Sequence, residues 1–281
     1  MTWERMMVVT SRGEFEVFAK GNGEALCVTH IYSEFNQSGD YFAEAFTETN
    51  RVYLVNLREA GNSEKAQRPY ELSMLESVFD LEAIRIALGV EQWGFAGHST
   101  GGMLGVVYGI YFSAHLRYMV IAGAAAREYM TFSKDCIYNH EHPQFSRMQE
   151  LIENLKSPEA TERQKQQWKI ERIKLSLADP NNYDIYFSSP ITKKMSAIRM
   201  NFFNRELQLF DTTRKLQLIT TPTLVMCGRH DVQCPLIYSQ EMAELIPGAQ
   251  LAIFENSNHY PFLEEKPRFH QVYKDYIDGL T

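Results

Sequence analysis

The apolar positions of this chain fall into two kinds of run that alternate. Short, almost continuously apolar stretches at 25–29, 51–55, 116–122 and 223–227 have the pattern of strands covered on both faces. Longer stretches between them carry helical spacing. Met74, Val78, Leu81, Ile84 and Leu88 fall on one face, and Gly89 fits a helix stop. Residues 103–112 are apolar all round and predict a buried helix. At the start, 6–10 and 14–19 flank Ser11-Arg12-Gly13 as an antiparallel hairpin, and Gly21-Asn22-Gly23 is a second turn. A helix is expected from about 38 to 47, another over 235–246, a last strand over 249–254 and a closing helix over 267–280. Strand and helix in alternation imply an α/β fold: a mostly parallel central sheet with flanking helices.

The pattern breaks between 128 and 213. No buried strand is evident there, and aromatics such as Tyr129, Trp168, Phe187 and Phe203 are scattered through polar sequence. Ser157-Pro158 has the form of an N-cap followed by proline at the first helical position. Ile170, Ile173 and Leu177 share one face of a long polar helix whose charges form its solvated side. The expected organisation is a core domain of 1–127 and 214–281 with an inserted helical cap of 128–213.

Composition narrows the function. A chain of 281 residues allows two average domains or one large α/β domain with an insertion. A net charge of −7 with no basic stripe argues against nucleic acid and against an anionic membrane surface. No apolar run is long enough to cross a bilayer, and residues 1–5 open no signal-peptide core, so a cytoplasmic protein is expected. Cys27 and Cys227 lie in apolar runs, Cys136 in a polar segment, and Cys234 three residues after Asp231. There is no Cys-x-x-Cys pair and no disulfide framework. His140-Glu141-His142 lacks an obvious third ligand, so neither a metal nor any other cofactor is expected.

The candidate chemistry centres on Gly97-His98-Ser99-Thr100-Gly101, a Gly-x-Ser-x-Gly stretch between a predicted strand and a predicted helix. In that context the serine sits on a sharp turn with its hydroxyl presented above the sheet. A Cβ at Gly97 or Gly101 is expected to collide with neighbouring chain. A serine needs a base, and the base needs an acid to hold its tautomer. Asp231 and His259 each follow a predicted buried strand, in the order Ser, Asp, His. Glu128 is the competing acid. His230 and His270 are the competing bases, and His98 is expected to point away from the serine. The oxyanion donors are expected from the backbone N–H groups of Thr100 and Tyr32, with His30 bracing the latter's loop.

With these residues in view the sequence resembles the α/β-hydrolase superfamily along nearly its whole length. Gly228-Arg229-His230-Asp231-Val232-Gln233-Cys234-Pro235 resembles the acid loop of prolyl aminopeptidases, and Arg58, Gly61 and Ser63 resemble part of their Arg-Gly-x-Gly-x-Ser segment. Those peptidases usually carry Gly-Gly-Ser-Trp-Gly at the elbow. The Gly-His-Ser-Thr-Gly-Gly found here is similar to that of small esterases and cofactor-free haloperoxidases. The cap of the prolyl aminopeptidases also supplies acids for a substrate's free amine, where this chain offers only Glu206 nearby. The resemblance implies hydrolysis of a small ester, amide or short peptide through an acyl-enzyme on Ser99. The alternatives are a prolyl aminopeptidase-like enzyme and a ligand receptor that keeps the fold without catalysis.

Overall fold

The computed structural model describes residues 2–280. Its ten strands are β1 (Glu4–Thr10), β2 (Gly13–Lys20), β3 (Glu24–Val28), β4 (Ser33–Glu34), β5 (Asn50–Val55), β6 (Trp93–His98), β7 (Leu116–Ala122), β8 (Lys194–Met195), β9 (Thr223–Gly228) and β10 (Gln250–Phe254). Eight of them form one sheet in the order β1-β2-β5-β3-β6-β7-β9-β10, while β4 and β8 pair apart from it. The β1–β2 hairpin is antiparallel, running from Glu4↔Ala19 to Thr10↔Gly13, and β2 is antiparallel to β5. Every other neighbour in the sheet is parallel.

The helices are α1 (Tyr41–Glu44), α2 (Met74–Ala87), α3 (Thr100–Phe112), α4 (Phe145–Lys156), α5 (Glu162–Lys174), α6 (Tyr183–Tyr186), α7 (Ala197–Glu206), α8 (Leu236–Leu245), α9 (Pro261–Glu264) and α10 (Lys266–Asp278). Side chains alternate across the sheet, so each strand feeds two cores. Cys27, Phe95 and Ile121 pack with α2, α3 and α8. Leu26, Val28, Val120 and Met226 pack on the other face with Phe42, Phe262, Phe269 and Tyr273 of α1, α9 and α10. This two-sided burial is the physical reason that the strands read as continuous apolar runs. Truncating a fully buried ring such as Phe95 to alanine costs about 3–5 kcal/mol.

Four expectations are corrected. Helix α3 starts at Thr100 rather than 103, because Gly101 and Gly102 lie inside its first turn. Helix α1 is four residues long rather than ten, capped by Asp40, whose carboxylate accepts from the N–H groups of Phe42 and Ala43. Ser157-Pro158 does not begin a helix: Ser157 is the C-cap of α4. Proline after a helix end is as natural as proline at its start, so the pair carries both meanings. The cap of α5 is Thr161, which exchanges hydrogen bonds with Gln164. Leu177 lies beyond α5 and is buried, as is Cys136 despite its polar surroundings.

The chain leaves β7 for α4–α7 through a narrow neck. The Glu128 N–H donates to the Phe210 carbonyl and the Thr212 N–H to the Ala126 carbonyl, both at 2.8 Å.

Candidate active site

Strand order reverses at β3, which lies between β5 and β6. In an open parallel sheet such a reversal leaves a crevice at the carboxyl ends of the strands. Val28 of β3 is in register with Ala96 of β6, so the loops that follow, one carrying Tyr32 and the other Ser99, leave the sheet side by side.

The turn at Ser99 is strained. Its φ is 55° and its ψ −124°, and among the described residues only Glu59 shares a positive φ without being glycine. The β6 backbone turns so sharply into α3 that an added Cβ at Gly97 would sit 2.2 Å from the Gly101 carbonyl oxygen. One at Gly101 would sit 2.3 Å from the Thr29 carbonyl oxygen. The Ser99 N–H is held by the Ala122 carbonyl at 2.9 Å. Strain of this kind costs about 1–3 kcal/mol and persists only where the surroundings over-determine it.

Asp231 and His259 meet in the loops after β9 and β10. His259 Nδ1 lies 2.9 Å from Asp231 Oδ2, and both side chains are buried. Asp231 Oδ1 also accepts the N–H groups of Gln233 at 2.9 Å and Cys234 at 2.8 Å, which fixes the carboxylate. The neighbouring loops close around the pair. Gly123, directly after β7, has φ +52°, and a Cβ there would approach Asp231 Oδ2 to 2.9 Å and His259 Nδ1 to 3.3 Å. Sequence reasoning examined this loop only for an acid and missed that its glycine makes room for the pair. The positive φ that only glycine adopts easily leaves no signal in a single sequence.

His98 packs against this pair. Its ring centroid is 4.4 Å from that of His259, and its Nε2 lies 2.7 Å from the His259 carbonyl oxygen. Burial, then the neighbouring His259, holds the His98 imidazole well below its ordinary range, so it is neutral and donates to that carbonyl. Glu128 accepts from the N–H groups of Met130 and Thr131. His230 is exposed, and His270 is in mid-helix on α10.

The loop after β3 is braced as expected. His30 Nε2 lies 3.0 Å from Thr100 Oγ1, and its Nδ1 lies 3.0 Å from Ser33 Oγ and 3.5 Å from the Tyr32 nitrogen. Nδ1 therefore accepts and Nε2 carries the proton, an assignment made from the hydrogen-bond network. Burial pushes His30 down to about 3, which keeps the ring neutral. Thr100 is the first residue of α3, so its N–H belongs to the first turn that a helix leaves without internal partners.

A second brace was not legible in the sequence. Arg199 of α7 is buried, and its guanidinium donates to the carbonyls of Ile31 and Arg58 and to Ser77 Oγ. The Ser196 N–H donates to the Tyr32 carbonyl at 2.8 Å. Both carbonyls that flank Tyr32 are thus held from one short segment. Burial pushes the Arg199 guanidinium down to about 10, still a cation at neutral pH.

Arg58, Gly61 and Ser63 are structural. Arg58 forms a two-pronged bond to the buried Asp80, and Ser63 Oγ donates to the Asn56 carbonyl. Glu206 accepts the Met74 N–H at 3.0 Å and so caps α2. A surface cleft of about 550 Å³, lined by residues such as Tyr41, Tyr186 and Lys266, includes none of Ser99, Asp231 and His259. Among the described residues no helix is long and apolar enough to cross a membrane, and no group of three or more His, Cys, Asp or Glu is arranged to hold a metal ion.

A serine on a strained strand-to-helix turn and an Asp–His pair on the loops after later strands of a mostly parallel sheet are the marks of α/β-fold hydrolases. Residues 29–266 match the α/β hydrolase fold family, and the chain belongs to it. It is a hydrolase of that family. It is similar to an alpha/beta fold family hydrolase from Bacillus anthracis str. Sterne, with 40% identity, a TM-score of 0.95, and 98% of this chain and 100% of that one covered. It is 24% identical to the proline iminopeptidase of Saccharolobus solfataricus over 231 residues, 78% of this chain and 73% of the relative. It is also 24% identical over 260 residues to the putative carbamate hydrolase RutD of Pseudomonas savastanoi pv. phaseolicola, 89% of this chain and 93% of that protein.

Proposed function

We propose that the protein is a serine hydrolase of small carboxylic esters or amides that works through an acyl-enzyme on Ser99. The Ser99 hydroxyl attacks the carbonyl carbon as His259 Nε2 takes its proton. Asp231 holds Nδ1–H and so fixes the tautomer, and its buried charge stabilises the imidazolium as it forms. The negative oxygen is received by the N–H groups of Thr100 and Tyr32. His259 then protonates the leaving group. It next activates water, which releases the acid and restores the serine. The segment 128–213 acts as the cap over this centre.

The observations that carry this reading are the strained Ser99 elbow, the buried Asp231–His259 pair at 2.9 Å, and His98, the residue before Ser99, whose ring lies 4.4 Å from that of His259. The long 3.5 Å contact between the Tyr32 nitrogen and His30 is weak enough to yield to an oxyanion. Neutral His98 supports the same reading, because it adds no second positive charge beside His259. The relatives named as an iminopeptidase and a carbamate hydrolase support attack on a carbonyl carbon. Glu206 is occupied with capping α2, which favours substrates without a free amine over aminopeptidase substrates.

A fluorophosphonate probe tests the mechanism. The expected result is stoichiometric labelling of the protein and none of Ser99→Ala. A well-folded protein that stays unlabelled would instead be a receptor. A panel of nitrophenyl esters beside prolyl- and alanyl-nitroanilide tests the substrate class, and cleavage of the prolyl amide with inert esters would reverse the choice.

A further inference from the structure

The end of α5 is docked on the catalytic loops. The His259 N–H donates to the Ser176 carbonyl at 3.2 Å. Gln233, two residues after Asp231, donates from its Nε2 to Ser176 Oγ at 2.9 Å and accepts the Tyr138 hydroxyl at 2.9 Å. One turn back from Ser176 stands Arg172, whose Nε is buried and has no hydrogen-bond partner among the described residues. The acid next to it, Glu171, is already bound by Arg147 of α4 at 2.7 Å. A buried guanidinium N–H without an acceptor is costly, and in a native protein it calls for an occupant.

From this placement we propose that Arg172, walled by Tyr138 and Tyr260, forms a subsite for a carboxylate carried by the substrate. The inference rests on the serine-hydrolase reading and names the substrate class of that same site. The surroundings favour an anion. Arg172 acts as a positive charge on the phenols of Tyr32, Tyr138 and Tyr260, and Gln233 ties the Tyr138 hydroxyl to Ser176, one turn on from Arg172. Burial raises all three phenols, Tyr260 to about 12, so at neutral pH they are uncharged and cannot neutralise the guanidinium. Lys193, the other cation acting on Tyr32, is already matched by Asp40 at 2.8 Å. One unmatched positive charge fits a single negative one. A carboxylate satisfies it, with the guanidinium N–H groups as donors. A phosphate monoester would bring nearly twice that charge.

The experiment compares mono-nitrophenyl esters of succinate, glutarate and adipate with nitrophenyl esters of the neutral acyl chains of equal length. Each pair differs only in a terminal carboxylate against a methyl group. For at least one length, kcat/KM for the charged ester is expected to exceed that of its neutral partner about tenfold or more, the scale of a charge-assisted hydrogen bond. In Arg172→Ala and Arg172→Gln that ratio falls to about one, and Arg172→Lys restores part of it. The ratio is internal to each variant, so partial misfolding does not imitate the result. Equal rates on charged and neutral esters at every length, or a ratio that survives Arg172→Ala, would overturn the subsite. Neither result touches the serine mechanism, which fails separately if the fluorophosphonate does not label the protein.

Discussion

The sheet edge and the helical segment 128–213 meet at one centre but are held by different forces. The edge is made by close packing. Helix α3 is buried along nearly its whole length, and Gly97, Gly101 and Gly123 each leave room for neighbouring chain or for the Asp231–His259 pair. The helical segment has little apolar interior. No residue of α5 is buried, and Phe132, Ile185, Ile198 and Leu209 are exposed, Leu209 at 91%. Besides a few side chains buried in the sheet's core, Tyr129, Phe203, Leu207 and Phe210 among them, it is attached by polar contacts: Arg199 to Ile31, Ser196 to Tyr32, Ser176 to His259, and Ser189 to the Tyr41 hydroxyl. Chemistry that needs fixed geometry therefore stands on the packed element. The segment proposed as the cap stands on the element held by exchangeable bonds, which opens at lower cost.

The sharpest test of the packed side is Asp231→Asn. It is expected to lower kcat on nitrophenyl esters by about 10³–10⁴-fold, as loss of the orienting acid does elsewhere. Steady-state kinetics read this directly, and a loss below tenfold would remove Asp231 from its role.

On the bonded side the largest effect belongs to Arg199→Met. It strips the donors from two carbonyls and from Ser77 Oγ, so stability is expected to fall by about 3 kcal/mol in urea unfolding. Where the variant folds, kcat is expected to fall more than KM rises, because Arg199 holds the peptide whose N–H is proposed to receive the oxyanion.

Gly123→Ala ranks next. Its positive φ costs an L-residue about 1–2 kcal/mol, and the displaced pair lowers kcat roughly tenfold to hundredfold. A variant with reduced stability and full kcat would show that the loop can give way without moving Asp231.

Stability is also expected to depend on pH through His30 and His98. Both have folded-state values depressed below 6.5, His30 to about 3. Below pH 6.5 the unfolded chain binds protons that the folded chain refuses. Their contribution is therefore complete above that pH and is lost as pH falls toward 3, at up to about 1.4 kcal/mol per pH unit for each ring. Urea midpoints between pH 7 and 4.5 should fall less steeply in His30→Asn. The smallest effect is Leu209→Ser, expected within about 0.5 kcal/mol of the parent protein.

The parallel strands, the elbow and the order of Ser99, Asp231 and His259 were legible because each rests on local spacing. Apolar runs mark strands buried on both faces, and polar residues just past their ends mark the loops. Ser157-Pro158 misled because the pair signals a helix start and a helix end alike. Helix α4 went unread, although Met148 and Leu151 are the buried pair that anchors it. Two anchors on a twelve-residue helix give a weak periodic signal. His98, Gly123, Glu206, Arg199 and Arg172 had no local mark at all, since what each does depends on residues far away in the chain.

The sequence by itself determined which segments are buried, where the chain must turn and which residue types stand at the ends of strands, because burial and backbone strain act over a few neighbouring residues. Tertiary structure alone decided that a glycine after β7 makes room for the Asp231–His259 pair and that Glu206 caps a helix. It also decided that Arg199 holds the Ile31 carbonyl while Arg172 keeps an N–H without an acceptor. Hydrogen bonds and unmatched charges are properties of pairs brought together across more than a hundred residues, and no spacing along the chain encodes who meets whom.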